Sequence, residues 1–528
     1  MKTQVIKQGT ARPAALHTPI ARATSLSAAL ALALFAPTTF AQSAGTITST
    51  LRTIDDSRMT TGEHDGATRM LARHLATPVV PRRSYVASCS TGSARRIFKS
   101  FTSQTAAGAK VGTIISGVVG SGGAVTNFEQ RQFPGCKEMG GIVAAADCSE
   151  VAVLCRRPEK TGANFDMVAS LPGTATDGGW KDWLMADGSD DAMWLYEWRN
   201  STNPTSPTSA YRTMLVSKAI GGKENAHFDL AMSDTHYAAS LKSTTTIFNG
   251  LKHEGDSLVV FSRGTTPAID TTKGWKWECA NGHTRSNRVA YNKLEDKFAV
   301  LCTTDSNHVS NSTGHGAWMH VSGEAFKLVK RLQTPAGQPL ITNGGAGRLL
   351  PTDDGFIGVI VASPDNNLAG ASQIWLTRFD MTGTLLPNYP KPVASYQSFY
   401  ASYPQLVSLG KVNGVERFLL GWAKMLPSQS DLVTPIPQDG QRIATEYNVK
   451  EIDENGVSKT PAVPVVNGWG EQDAMVSLGY GRAGWVYRPD PAVISITPTG
   501  TNGAQKANGP SPISTELSWT VYKSTSMN

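Results

Sequence analysis

An all-β fold is predicted by three observations: pairs of apolar strands recur along the chain, the interval between pairs is nearly constant, and a third strand, often centred on tryptophan, falls in each interval. Four antiparallel strands repeated about every sixty residues make the blade of a β-propeller. The pairs read SYVASCSTGSARRIF from Ser84, GIVAAADCSEVAVLC from Gly141, FDLAMSDTHYAASL from Phe228, NRVAYNKLEDKFAVLC from Asn287, GRLLPTDDGFIGVIVAS from Gly347, PQLVSLGKVNGVERFLLGW from Pro404 and DAMVSLGYGRAGWVY from Asp473. Their tips, such as Asp354-Gly355 and Asn413-Gly414, carry the residues that tight hairpins require. With Val86, Val143, Leu230, Val289, Leu349, Leu406 and Met475 as equivalent positions, the intervals are 57, 87, 59, 60, 57 and 69 residues.

The third strands are AMWLYEW from Ala192, SLVVFS from Ser257, GAWMHV from Gly316, QIWLTRFDMTG from Gln373, EYNVKEIDENG from Glu446 and ELSWTVY from Glu516. Fourth strands follow in most units, as in KGWKWEC from Lys273 and AFKLVKRL from Ala325, and Asp-x-x-Gly turns after Phe379 and Ile452 join third to fourth. Seven copies predict seven blades. The last copy ends at the terminus after three strands, so TITSTLRTI from Thr46 is expected to supply the fourth and close the ring, which pairs an otherwise open edge. Residues 106–135 of the first copy are rich in Gly, Ala and Ser and fit the template poorly, so six blades with an N-terminal extension is the alternative count. Two β-sandwich domains would also give many short strands, but no break or linker divides the chain.

Residues 1–41 have the parts of a secretory leader: basic residues (Lys2, Lys7, Arg12, Arg22), an apolar run from Leu26 to Phe35, and small residues ending at Ala41. The apolar run is half of the roughly 20 residues that cross a bilayer, and no later segment is long and apolar enough. An exported protein, periplasmic or extracellular, without a transmembrane segment and monomeric, is expected. Residues 42–80 then carry the ring-closing strand and residues 81–528 the propeller. Without the leader's four basic residues, 45 Lys and Arg face 42 Asp and Glu, so the net charge falls from +7 to +3. No basic block with interleaved aromatics follows a phosphate backbone, which argues against nucleic acid as a partner.

The six cysteines of an exported chain read as disulfides, and the absence of a CxxC pair argues against zinc. Cys279 and Cys302 occupy places in one unit like those of Cys136 and Cys155 in another, so these are expected to pair, leaving Cys89 with Cys148.

In architecture, nearly the whole mature chain resembles bacterial secreted β-propeller proteins, and no named family within them. Walker, GxSxG and HExxH patterns, Trp-Asp repeat endings and a series of sialidase-type Asp boxes are missing, with only a partial DGGW at Asp177. Fold alone therefore leaves function open.

Geometry narrows the search. Innermost strands of a propeller line its central channel, and the residues just before the equivalent positions are Tyr85, Ile142, Asp229, Arg288, Arg348, Gln405 and Ala474. Asp229, Arg288, Arg348 and Gln405 come from four successive units. Together they would form a net positive cluster suited to a carboxylate or sulfate, with His236 and Arg285 as further ligand-binding candidates. The partner is then a small anion or an acidic polysaccharide, bound by a surface-interaction protein at the channel mouth. The alternative is an enzyme, a polysaccharide lyase or hydrolase; such lyases occur on seven-bladed propellers, and His283, Tyr291 and Arg288 would be the catalytic set, a base beside a uronate with a guanidinium to neutralise the enolate. No cofactor is evident beyond calcium at Asp177, Asp187, Asp190 and Asp191, in a Gly- and Trp-rich insertion over residues 156–191 that is expected as a long loop with Trp180 and Trp183 exposed.

Overall fold

The structure, a computed structural model, describes residues 45–53, 58–59, 85–104, 110–133, 138–156, 180–184, 193–199, 211–212, 229–248, 251–263, 270, 272–273, 275–279, 288–304, 316–331, 346–362, 364, 372–397, 400–426, 443–465, 468–469, 475–487, 496–499, 504–507 and 516–527. The chain divides into two compact units, Met1–Ala41 and Gln42–Asn528, and the first, where the leader is expected, lies outside the described residues. The described elements are all strands, and no helix among the described residues is long and apolar enough to cross a membrane.

Strand β1 (Thr46–Thr53) comes first. The first sheet is β3 (Tyr85–Thr91), β4 (Ala94–Gln104), β5 (Lys110–Val119) and β6 (Val125–Phe133), with β2 (Arg58–Met59) against the end of β4. The second holds β7 (Glu138–Ala144), β8 (Glu150–Arg156), β9 (Trp180–Leu184), β10 (Met193–Arg199) and β11 (Tyr211–Arg212). The third runs β12 (Asp229–Met232), β13 (His236–Phe248), β14 (Leu251–Ser262), β15 (Trp275–Cys279), and the fourth β16 (Arg288–Asn292), β17 (Lys297–Thr304), β18 (Gly316–Val321), β19 (Lys327–Arg331). The fifth runs β20 (Ala346–Thr352), β21 (Gly355–Ala362), β22 (Gln373–Asp380), β23 (Lys391–Ala394), and the sixth β24 (Tyr400–Val412), β25 (Val415–Leu426), β26 (Ile443–Asp453), β27 (Val463–Val465). Last come β28 (Val476–Gly479) and β29 (Arg482–Tyr487), a separate hairpin of β30 (Ile496–Thr499) and β31 (Ala504–Ala507), and β32 (Glu516–Lys523).

The final sheet has the order β1, β32, β29, β28, and β1 pairs antiparallel with β32 from Thr46 opposite Lys523 to Thr53 opposite Glu516. First strands lie beside first strands: β3 by β7, then β12, β16, β20, β24, β28, and β28 again by β3. The Gly- and Ala-rich stretch of the first unit forms β5 and β6, because Ile114, Ile115, Val119 and Val125 supply enough apolar surface to bury. The second sheet departs from the expected order. Its outer strand β9 comes from the insertion that reads as a loop and precedes β10 in the chain, pairing Trp180 with Trp198 and Trp183 with Leu195. Asp177, Asp187, Asp190 and Asp191 lie outside the described residues, as do the side chains of Trp180 and Trp183.

The core is a series of seams between successive sheets. Val86, Ile97, Phe101 and Ile115 of the first sheet meet Leu478, Val486, Leu517 and Trp519 of the last, with the Phe128 and Trp519 rings 5.3 Å apart. Comparable seams join the third to the fourth sheet, the fourth to the fifth, the fifth to the sixth and the sixth to the last. Each large side chain buried this way contributes about 1.5–3 kcal/mol, so the seams hold the sheets together side by side. Cys89 and Cys148 form a disulfide between β3 and the turn after β7, the pair expected from the sequence. Cys302 is also disulfide-bonded, while Cys136 and the side chains of Cys155 and Cys279 lie outside the described residues.

The two Asp-x-x-Gly turns repeat one device. The Asp380 carboxylate accepts the amides of Thr382 and Thr384, each at 2.9 Å, and Asp453 accepts those of Asn455 and Val457 at the same distance. Gly383 and Gly456 close these turns at φ of 77° and 76°, where a side chain would be strained. Burial pushes both carboxyls up, but the Thr382 hydroxyl bonded to Asp380 at 2.7 Å, Lys459 paired to Asp453 at 2.7 Å and then these amides outweigh it and hold both below the ordinary value of 3.8. A carboxyl that ionises more readily folded than unfolded stabilises the fold above its unfolded pKa, and that contribution is lost as pH falls through the folded value. Replacing Asp380 and Asp453 together by Asn keeps an acceptor oxygen in each turn and removes the titration. The denaturation midpoint of the parent protein is expected to fall more steeply between about pH 5 and 2 than that of the double variant. Equal slopes would contradict the role given to these turns.

Candidate functional site

A first strand pairs within its sheet on one side only. Its other backbone groups face the neighbouring sheet, and any that are buried must find partners there. Side chains just before the equivalent apolar positions meet this need. Asp229, at the start of β12, accepts the Val289 amide of β16 through Oδ2 at 2.8 Å. Gln405 of β24 does the same for the Met475 amide, before β28, through Oε1 at 3.3 Å. Arg288 of β16 donates from Nε to the Ala346 carbonyl of β20 at 3.3 Å. All three side chains belong to buried residues, with exposures of 5%, 1% and 3%.

Arg348 breaks the pattern. Gly347 and Arg348 fall in a bulge, because β20 pairs Ala346 with Ile360 and next Leu349 with Gly358, so two residues oppose Val359 alone. A Cβ on residue 347 would lie 2.5 Å from Val359 Cγ2 and 2.6 Å from the Pro404 carbonyl, so only glycine fits there. Bulges turn a side chain away from its regular direction. The Arg348 guanidinium makes no hydrogen bond or ion pair among the described residues, and the residue as a whole is partly exposed. Burial lowers its pKa, the Asp229 carboxylate opposes that, and the Arg288 charge adds to it. The charges of Asp229 and Arg288, on the first strands of the third and fourth sheets, thus act on Arg348 of the fifth.

Two of the linking residues keep unused bonding capacity. Asp229 spends one oxygen on Val289, and no partner for Oδ1 is found among the described residues. Gln405 spends its oxygen on Met475, leaving Nε2 a buried donor without a partner among the described residues. The equivalent residues Tyr85 and Ile142 are buried, and Ala474 lies outside the described residues.

Other sequence candidates fall elsewhere. Tyr291 lies three residues beyond Arg288 on β16, which puts it about 10 Å along the strand and on the opposite face. Its hydroxyl donates to Asp296 at 3.0 Å, and burial first, with that carboxylate second, pushes it up to about 12, so the phenol stays protonated near neutrality. His236 also sits at the hairpin end, one turn beyond the four-residue strand that starts at Asp229. Its Nδ1 lies 2.9 Å from Thr235 Oγ1 and its Nε2 3.6 Å from Asp270, while burial and then the Lys273 charge lower its pKa. Lys273 pairs with Asp296, and its carbonyl accepts Ser322 Oγ at 2.9 Å, so these residues tie the third sheet to the fourth. The structure thus brings Asp229, Arg288 and Arg348 together and keeps His236 and Tyr291 apart from them. His283 and Arg285 lie outside the described residues. Among the described residues no group of His, Cys, Asp and Glu is arranged to hold a metal ion.

No family model and no curated protein matches the chain. Among solved structures it is similar to an acylaminoacyl peptidase of Pyrococcus horikoshii (8% identity, TM-score 0.36, over 77% of this chain and 50% of that one). It is also similar to a mutant Trypanosoma rangeli sialidase with trans-sialidase activity (10%, 0.30, 64% and 51%) and an α-L-arabinanase of Cellvibrio cellulosa (9%, 0.27, 61% and 95%). The chain spans about half the length of the first two. Likeness at these scores carries neither fold nor chemistry from those proteins to this one.

The Asp229 bond has a direct consequence for stability. Asp229→Ala leaves the buried Val289 amide without an acceptor and is expected to cost about 1–3 kcal/mol in chemical denaturation, whereas Asp229→Asn, which keeps an oxygen there, is expected to cost much less. Equal costs would remove Asp229 from this role.

Proposed function

We propose that the exported chain is a closed seven-bladed propeller that binds a small anion, or an anionic group of an acidic glycan, at the mouth of its central channel. The succession of first strands from β3 round to β3 and the pairing of β1 with β32 support the closed ring. The observation that carries the binding site is Arg348: a guanidinium turned out by a bulge, beside a second guanidinium, with no protein partner among the described residues. Arginine stays charged at any ordinary pH, and its planar fork matches the paired oxygens of a carboxylate or the edge of a sulfate.

In this reading the protein is a binding protein, and the remaining cysteines pair as Cys279 with Cys302 and Cys136 with Cys155. The lyase alternative needs Tyr291 beside Arg288 as well as a histidine base, and the Tyr291 hydroxyl instead donates to Asp296. Calorimetric titration with sulfate, acetate and D-glucuronate tests the site. Arg348→Gln is expected to weaken anion binding at least about tenfold, the value of a hydrogen bond to a charged group, without lowering the melting temperature. Unchanged affinity in that variant would overturn the assignment. Unsaturated product from uronate polymers, followed by ultraviolet absorbance, would favour the lyase instead.

A further inference from the structure

The unused bonding capacity around Arg348 is mixed in sign, which a simple anion does not match. Arg348 offers donors, whereas Asp229 Oδ1 offers only acceptor lone pairs. A bare anion placed on Arg348 would gain that guanidinium while facing the Asp229 charge, and it would leave Oδ1 unused. A ligand that also carries a hydrogen-bond donor turns the same oxygen from a repulsive neighbour into a partner.

We propose that the site selects a hydroxy-carboxylate, the chemistry of a sugar acid, with its carboxylate on Arg348 and a neighbouring hydroxyl donating to Asp229 Oδ1. The inference rests on the anion-site reading above and adds the ligand class. Charge decides between a hydroxyl and an ammonium as the donor. A ligand of net charge −1 gains from the Arg348 charge, whereas a zwitterion also brings a cation up to it. Arg288, held toward β20 by its bond to the Ala346 carbonyl, keeps a fixed positive charge beside the place an ammonium would occupy. The latch to Val289 fixes the carboxylate that reads the hydroxyl, so Asp229 does not have to reorganise when ligand arrives.

The full mature protein is titrated with D-glucuronate, with cyclohexanecarboxylate, which has the ring and carboxylate but no hydroxyls, and with glycine. Glucuronate is expected to bind at least about tenfold more tightly than cyclohexanecarboxylate, since a site built to bond a hydroxyl discriminates against the analogue that lacks it. In Asp229→Asn, whose one oxygen stays on the Val289 amide so that the free acceptor becomes an NH2 and the charge is lost, that ratio is expected to fall to about threefold or less, with cyclohexanecarboxylate bound as well as before or better. A ratio near one in the parent protein, a ratio that survives Asp229→Asn, or tighter binding of glycine than glucuronate would each overturn the hydroxy-carboxylate assignment. The parent comparison needs no variant, so it decides even if Asp229→Asn folds poorly. Failure of the anion site itself has a different signature: no carboxylate binds, or Arg348→Gln binds both carboxylates as the parent does.

Discussion

The hydrogen bond from the Val289 amide to the Asp229 carboxylate states the constraint on which the arrangement depends. A strand at the inner edge of a sheet has unpaired backbone groups, and such groups are costly when buried and hazardous when open. This chain resolves the problem at three places by passing a bond from one sheet to the next, through a carboxylate at Asp229, a guanidinium at Arg288 and an amide at Gln405. Similar reaches recur elsewhere: Lys99 donates to the Val486 carbonyl at 2.9 Å across the seam between first and last sheets, and Asn292 bonds the Thr352 and Gly355 carbonyls of the fifth. Apolar seams supply the bulk of the cohesion, while these polar links set which strand faces which.

A repeat that spends its polar side chains on its own backbone has little left for a ligand. Function is therefore most readily sought where a copy departs from the rule, and Arg348 is such a departure. The bulge at Gly347 and Arg348, admitted because the former has no Cβ to strike Pro404, turns a long cation out of the linking position. Asp229 serves both purposes, with one oxygen in the link and the other beside the cation. The hairpin end has its own charged residues, but His236, Asp270, Lys273, Asp296 and Tyr291 are occupied with one another between neighbouring turns.

Much of the architecture was legible in the sequence because strand pairs about sixty residues apart leave a periodic trace that survives loop variation. The turns at Asp380 and Asp453, the Cys89–Cys148 bond and the pairing of the Thr46 strand with the C-terminal strand could be read the same way. Strand order in the second sheet could not, since the outer strand β9 is drawn from ahead of its partner in an insertion without repeat features. Of the candidate residues in register across copies, Asp229, Arg288 and Gln405 make equivalent links and Arg348 is set apart by its bulge. His236 and Tyr291 were chosen by residue type and closeness in sequence, which a strand does not convert into closeness in space: three residues along an extended chain reverse the face. The bulge that sets Arg348 apart had one trace, Gly347, and a glycine before an arginine is too common to read alone.

The central claim is that Arg348 holds an anion in the space shared with Asp229 and Arg288, and anomalous diffraction from crystals grown in bromide tests it most directly. The account expects a leading bromide peak within hydrogen-bonding reach of the Arg348 guanidinium, about 3.5 Å or less from its nitrogens. Peaks confined to the outer surface, with that guanidinium bonded to a protein carboxylate or carbonyl, would contradict it.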